Sequence, residues 1–215
     1  ASTSLVIDDS KFVVDIPYEK NELEAPWDQP PKYWAVGIPD VGGDPASEMI
    51  VVIRNSHFLN EQPYAAGALG LIQTIPADVP LTLKGEIIGS EFHNFHGVIS
   101  ANNLEGFSIS ENRLVKNSFA NIFVHGDDVT IKNNKIYYPG NGTTGDGITA
   151  LGRLTNSVID NNAIFVGSCY GILIRGKEIS GLSIENNIII NGITSVILIE
   201  GSENKARNVS VAKNI

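Results

Sequence analysis

Cysteine, methionine and tryptophan are scarce in this 215-residue sequence, which holds one Cys, one Met and two Trp. With Cys169 alone, neither a disulfide framework nor a cysteine-based zinc site can form within the chain. No uninterrupted apolar run approaches the roughly 18 residues that a membrane-spanning helix needs, so no membrane partner is expected. Basic residues are few as well: 15 Lys and Arg stand against 24 Asp and Glu, a formal charge of -9. Without a basic stripe there is nothing to release counterions from phosphates, which argues against nucleic acid as a partner. Proline all but vanishes after residue 80, where only Pro139 remains of ten.

What is present is a core-forming chain. Hydrophobic residues make up 42% and charged residues 18%, which argues against disorder, and the length fits one domain over residues 1-215. Residues 1-50 hold ten acids against three lysines, while the rest is near neutral, with fourteen acids against twelve bases. Both tryptophans, Trp27 and Trp34, and nine prolines fall in residues 1-80. Residues 1-46 therefore read as a cap with irregular first coils, carrying strand-like runs at Leu5-Val6-Ile7 and Phe12-Val13-Val14. Residues 47-215 read as repeat coils.

The repeat is short: an apolar residue, two polar ones, Asn, one further residue, then an apolar residue. It recurs as Ile109-Ser110-Glu111-Asn112-Arg113-Leu114, Ile131 to Ile136, Ile159 to Ile164 and Ile184 to Ile189, with a fifth copy from Val211. Asn112, Asn134, Asn162, Asn187 and Asn214 are spaced by 22, 28, 25 and 27 residues, too irregular for a heptad and right for the coils of a β-solenoid. Ser90 and Ser56 occupy the Asn position in degenerate earlier copies. A second column of glycines, Gly126, Gly152, Gly176 and Gly201, closes strands in which Ile122, Val124, Ile148, Ala150, Ile172, Ile174, Ile197 and Ile199 share one parity and are expected to fill the interior. The Asn column is expected to be a hydrogen-bonded ladder, because Asn tolerates left-handed backbone and its amide can bond the same group one coil away.

These Ile-x-x-Asn-x-Ile and Gly-Ile-x-Ile-x-Gly patterns resemble the pectate-lyase-like right-handed parallel β-helices, including the short-repeat sugar-hydrolase and carbohydrate-binding helices and periplasmic β-helix proteins. The resemblance covers roughly residues 47-215 and implies an all-β, right-handed parallel β-helix. It also implies polysaccharide as the partner. In such families activity depends on a few outward residues, so the resemblance is specific for fold and weak for chemistry.

The outward parity is read as a greasy line, Ile99, Phe123, Thr149, Leu173 and Leu198, with Ala101, His125, Leu151, Arg175 and Glu200 beside it. An exposed apolar stripe is costly, so a cover or a second copy of the chain is expected there. Two catalytic constellations are expected on sugar-chemistry grounds. One joins His125 and Arg175 with Glu200, where the bland alternative is an exposed ion pair of little worth. The other joins His96, Asp146 and Tyr170 beside the loop Tyr138 to Gly145, where the alternative is scattered polar residues at turn edges. Trp27, Trp34, Phe123 and Glu200 are the expected substrate contacts.

A calcium-dependent pectate lyase needs several outward carboxylates on neighbouring coils, and this face offers Glu200 alone, so the resemblance does not extend to that metal site. His93 and His96 lie three apart in a turn without an identifiable third ligand, so no metal and no cofactor is expected. The start Ala1-Ser2-Thr3-Ser4 fits a cleaved signal peptide as well as a trimmed chain, and export to an extracellular or periplasmic location is the expectation. Ending at Asn214-Ile215, the final coil is expected to need an adjoining domain or another subunit as its cap. Two functions stay open: a β-helix that binds or cleaves polysaccharide by a lyase, hydrolase or epimerase reaction, and a non-catalytic structural or adhesive module that self-associates.

Overall fold

The computed structural model describes residues 3-15, 34-37, 48-61, 67-71, 81-117, 120-137, 145-165, 170-190, 195-201 and 206-215. Within them there are strands and turns but no helix, and every strand pair is parallel. Successive coils place like against like. Ile7 pairs with Ile53, Ile53 with Ile87 and Ile87 with Ile109, and the same column continues through Ile131, Ile159 and Ile184. The architecture is an all-β parallel β-helix, and its coil register already includes Thr3-Asp8 and Lys11-Val14.

One sheet wraps two sides of the coil through long strands such as Gly97–Ser110, Ile122–Lys132, Ile148–Thr155 and Tyr170–Ser180. The other sheet is built of short strands: Lys11–Val14, His57–Asn60, Glu91–His93, Arg113–Val115, Lys135–Tyr137, Ala163–Phe165 and Ile188–Ile190. Inward side chains from both sheets form one continuous core. Ile122, Val124, Ile148, Ala150, Ile172 and Ile174 are buried in it, as the strand alternation predicts, while Ile197 and Ile199 are partly buried against it. On the short-strand side Phe12, Phe58 and Phe92 stack at 4.7 and 4.9 Å between ring centroids, the spacing of adjacent coils.

The Asn column is a ladder. Each Oδ1 accepts from the backbone N–H and the side-chain amide of the Asn one coil earlier: Asn112 to Asn134, Asn134 to Asn162, Asn162 to Asn187 and Asn187 to Asn214, all at 2.9–3.1 Å. Serine continues it upstream, since Ser90 N–H donates to Asn112 Oδ1 at 2.9 Å and Ser56 N–H to Ser90 Oγ at 3.1 Å. The left-handed backbone sits one residue earlier than expected, at Glu111, Asn133, Asn161, Asn186 and Lys213. That preceding residue turns the chain at the corner, which frees the ladder Asn to point inward and bond along the axis.

The outward line needs correction. Ile99 pairs with Ile122 and Ala101 with Val124, so both point inward and are fully buried. The outward register is Ser100, Phe123, Thr149, Leu173 and Leu198. It is no free stripe: Ser100, Thr149 and Leu173 are buried, with Leu173 7% exposed, and Phe123 and Leu198 are half-buried.

Candidate functional site

At the bend that ends the outward line, coils approach too closely for a side chain. A Cβ on Gly176 would lie 2.1 Å from the Gly152 carbonyl oxygen, and one on Gly126 would lie 2.4 Å from the Leu104 carbonyl oxygen. Register shifts fall at the same place, between Val124 and Gly126 and between Gly152 and Arg153. Such bulges re-aim the residues beside them. His125 lies in one, and its ring rests over Gly152, where a Cβ would meet Nε2 at 3.1 Å.

Around that ring is a shallow open groove of 740 Å³ whose polar lining comes from His125, Arg153, Arg175, Lys177, Glu178 and Glu200. Sequence reasoning placed His125, Arg175 and Glu200 together, and the fold does bring them to one groove. Arg175 and Glu200 are register partners, and Nε donates to Oε2 at 2.6 Å with both side chains half exposed. Arg153 is held more loosely, 3.8 Å from Asp127 and 3.9 Å from Glu178. Burial lowers the pKa of His125, and the Arg153 charge lowers it further, so the imidazole is neutral at neutral pH. Asp127 is committed to the neighbouring turn. It accepts from Thr155 Oγ1 and from Asn156 Nδ2, and the Thr155 bond first, with Asn156 and Arg153 adding to it, holds its carboxyl below the usual range against the effect of burial.

The second constellation converges only in part. Asp146 and Tyr170 occupy adjacent coils: the Tyr170 backbone N–H donates to Asp146 Oδ1 at 3.2 Å, and Thr149 Oγ1 donates to Oδ2 at 3.0 Å. Burial pushes the Asp146 carboxyl above its ordinary value despite these bonds and the nearby Arg175 charge. Asp146 therefore ties two coils together through a backbone amide, without a contact to the Tyr170 hydroxyl among the described bonds. His96 stands apart. It precedes Ile99, whose column reaches Ile148 two coils later, so about 10 Å of axial rise separates it from Asp146. Trp27 lies outside the described residues, as do the side chain of Trp34 and all of residues 138-144; the Trp34 backbone belongs to the strand Trp34–Gly37. Phe123 is half-buried on the outward line.

A third cluster was not anticipated. On the outer side of the short-strand sheet, His57 pairs in register with Glu91, and His93 follows Glu91 by two residues on the same strand. His57 Nδ1 lies 3.4 Å and His93 Nε2 3.3 Å from Glu91 Oε2, and the two rings stack at 5.1 Å. Arg113 Nη1 is 3.6 Å from the other carboxylate oxygen. Among the described residues this is the one group of three or more His, Cys, Asp or Glu whose ligand atoms converge, all within 4.8 Å. The signal was available, because Ser56 and Ser90 are ladder positions and His57 and Glu91 each follow one. His93 belongs with them rather than with His96.

Comparison with known families matches residues 82–215 to the model described as a right handed beta helix region. No curated protein and no solved structure matches the chain. The matched span is more than half of the sequence and coincides with the Asn-laddered coils, so this chain belongs to the right-handed β-helix family.

Proposed function

We propose that this chain is an exported β-helix that binds an acidic polysaccharide across the His125 groove and cleaves it by elimination. The observation that carries the reading is the half-buried His125 imidazole seated over Gly152 beside the loosely paired Arg153. Although the chain is acidic overall, the groove sets Arg153, Arg175 and Lys177 against Glu178 and Glu200. A uronate carboxylate exchanges for the long contacts of Arg153 more readily than for the 2.6 Å pair of Arg175 and Glu200. Held there, the sugar presents the proton next to its carboxylate to His125, which accepts it as a general base. The C–H electron pair then forms the ring double bond as the bond to the glycosidic oxygen breaks, and that oxygen takes up a proton from water to leave as the hydroxyl of the shortened chain. Membership of a family common among polysaccharide-active proteins supports the substrate class.

The test is incubation with neutral and uronic-acid polysaccharides, with and without calcium, following new reducing ends and the ultraviolet absorbance of unsaturated products. Absorbance that appears with a uronate polymer and disappears in His125→Ala is the expected result, with Arg153→Ala raising KM more than it lowers kcat. Reducing ends without absorbance would replace elimination by hydrolysis. No product and no binding across the panel would favour the structural module instead. That alternative draws no support from the outward line, whose Thr149 and Leu173 are already buried.

A further inference from the structure

The alternation of the strand Glu91–His93 sends Phe92 into the core and projects Glu91 and His93 outward side by side. His57–Asn60 does the same one coil earlier, burying Phe58 and projecting His57 next to Glu91. The stacked Phe58 and Phe92 beneath fix both strands, so three donor groups stand on a rigid surface rather than on a loop. Arg113 engages the far oxygen of Glu91, which leaves Oε2 facing both imidazoles.

The spacing suits a metal ion. Four ligands placed tetrahedrally at about 2.0–2.2 Å from zinc lie about 3.3–3.6 Å from one another. The two nitrogen-to-oxygen separations here are 3.4 and 3.3 Å, and all three ligand atoms lie within 4.8 Å of one another. Two imidazoles and one carboxylate form a donor set for borderline divalent ions of the zinc, nickel and copper group, and a poor one for calcium, which takes six to eight oxygens. We infer that His57 Nδ1, Glu91 Oε2 and His93 Nε2 bind one zinc-type divalent ion, which clips two adjacent coils together and keeps its fourth position open to water or to an oxygen donor. The site is independent of the polysaccharide reading, because it lies on the opposite sheet from the His125 groove and shares no residue with it.

The experiment titrates the metal-stripped full chain with zinc chloride by calorimetry and with cobalt chloride by visible absorption. One saturable equivalent, cobalt bands of four-coordinate nitrogen and oxygen ligation, and a rise in melting temperature with zinc are expected. His57→Ala and His93→Ala should each lose the equivalent while melting like the wild type without metal, and Glu91→Gln, which keeps the side-chain shape, should lose it too. His96→Ala should retain it. An absence of saturable binding at millimolar zinc, or an equivalent that survives in the His57→Ala/His93→Ala double variant, would overturn the site. A wild-type chain that melts identically with and without zinc would overturn the clip.

Discussion

Asn162 and Asn161 are sequence neighbours with opposite duties, and replacing each in turn tests what holds the coils together. Asn162 is 1% exposed. Its Oδ1 accepts from Asn134 N–H and Nδ2 at 3.0 Å each, and its own amide donates to Ile131 O, Asp160 O and Asn187 Oδ1. In Asn162→Ala, Asn134 Nδ2 still reaches Ile109 O and Lys132 O, and Asn187 Oδ1 still receives the Asn162 backbone N–H. The Asn134 backbone N–H loses its acceptor while buried. One such orphan costs about 1–3 kcal/mol, and with the lost amide bonds and the small void the total should be about 3–4 kcal/mol. For a chain of this size that corresponds to a fall of roughly 6 to 16 °C in melting temperature. Asn161, at φ 53°, is exposed, and its amide donates to Asn133 Oδ1 at 2.8 Å in water. Asn161→Gly keeps the left-handed turn and should change stability by only about 0.5–1 kcal/mol. Urea unfolding of both variants reads the difference. Equal losses, or a loss under about 1 kcal/mol for Asn162→Ala, would mean that the ladder does not hold the stack together.

Two further outcomes follow from the bend. Gly176→Ala places a methyl 2.1 Å from the Gly152 carbonyl oxygen, a backbone atom that moves only if the coils separate; the expected cost is about 1–3 kcal/mol or more, read by the same unfolding assay. For His125 the folded pKa lies below the unfolded value of about 6.5. The unfolded chain takes up the proton first as pH falls, so stability drops from about pH 6.5 down through the folded pKa. His125→Gln should remove that part of the slope between neutral and mildly acid pH, and an unchanged slope would mean that the ring is not desolvated.

The ladder and the interior were legible because both repeat in the chain: Asn and Ile return at coil spacing, and parity sorts faces wherever a glycine marks the bend. Legibility failed where the marker is missing. In the coil of Ile99 it is Leu104, not a glycine, that occupies the register of Gly126, and Asn102 and Asn103 stand opposite the single His125, one residue more than in the next coil. Counting through that bulge slips parity by one, which exchanges inside for outside and put Ile99 and Ala101 on the wrong face. The His57 cluster was missed for a related reason. The ladder serines Ser56 and Ser90 are legible, but the residues that follow them come together only across a 34-residue spacing, longer than any between the Asn repeats, and sequence proximity pairs His93 with His96 instead. The burial of Thr149 and Leu173 fits the cover expected over the outward line, although alternation itself reports direction and not what lies beyond the sheet.

The coil lengths explain why chemistry and scaffold occupy different corners. Across the ladder corner the inward residues always stand five positions apart: Ile7 and Phe12, Ile53 and Phe58, Ile87 and Phe92, Ile109 and Leu114, Ile131 and Ile136, Ile159 and Ile164, Ile184 and Ile189. An inserted residue there would carry the Asn amide away from its partners one coil on, so the register admits no change. Across the bend the equivalent step varies: eight from Ala101 to Ile109, seven from Val124 to Ile131, nine from Ala150 to Ile159, ten from Ile174 to Ile184 and twelve from Ile199 to Val211. Extra residues at this corner bulge outward and leave the inward columns aligned. His125, Arg153, Arg175, Lys177, Glu178 and Glu200 all fall within these variable stretches. The groove is therefore assembled from segments whose length the inward columns do not fix, and its polar side chains can be exchanged at little cost to the stack, whereas the inward Asn of the ladder corner cannot.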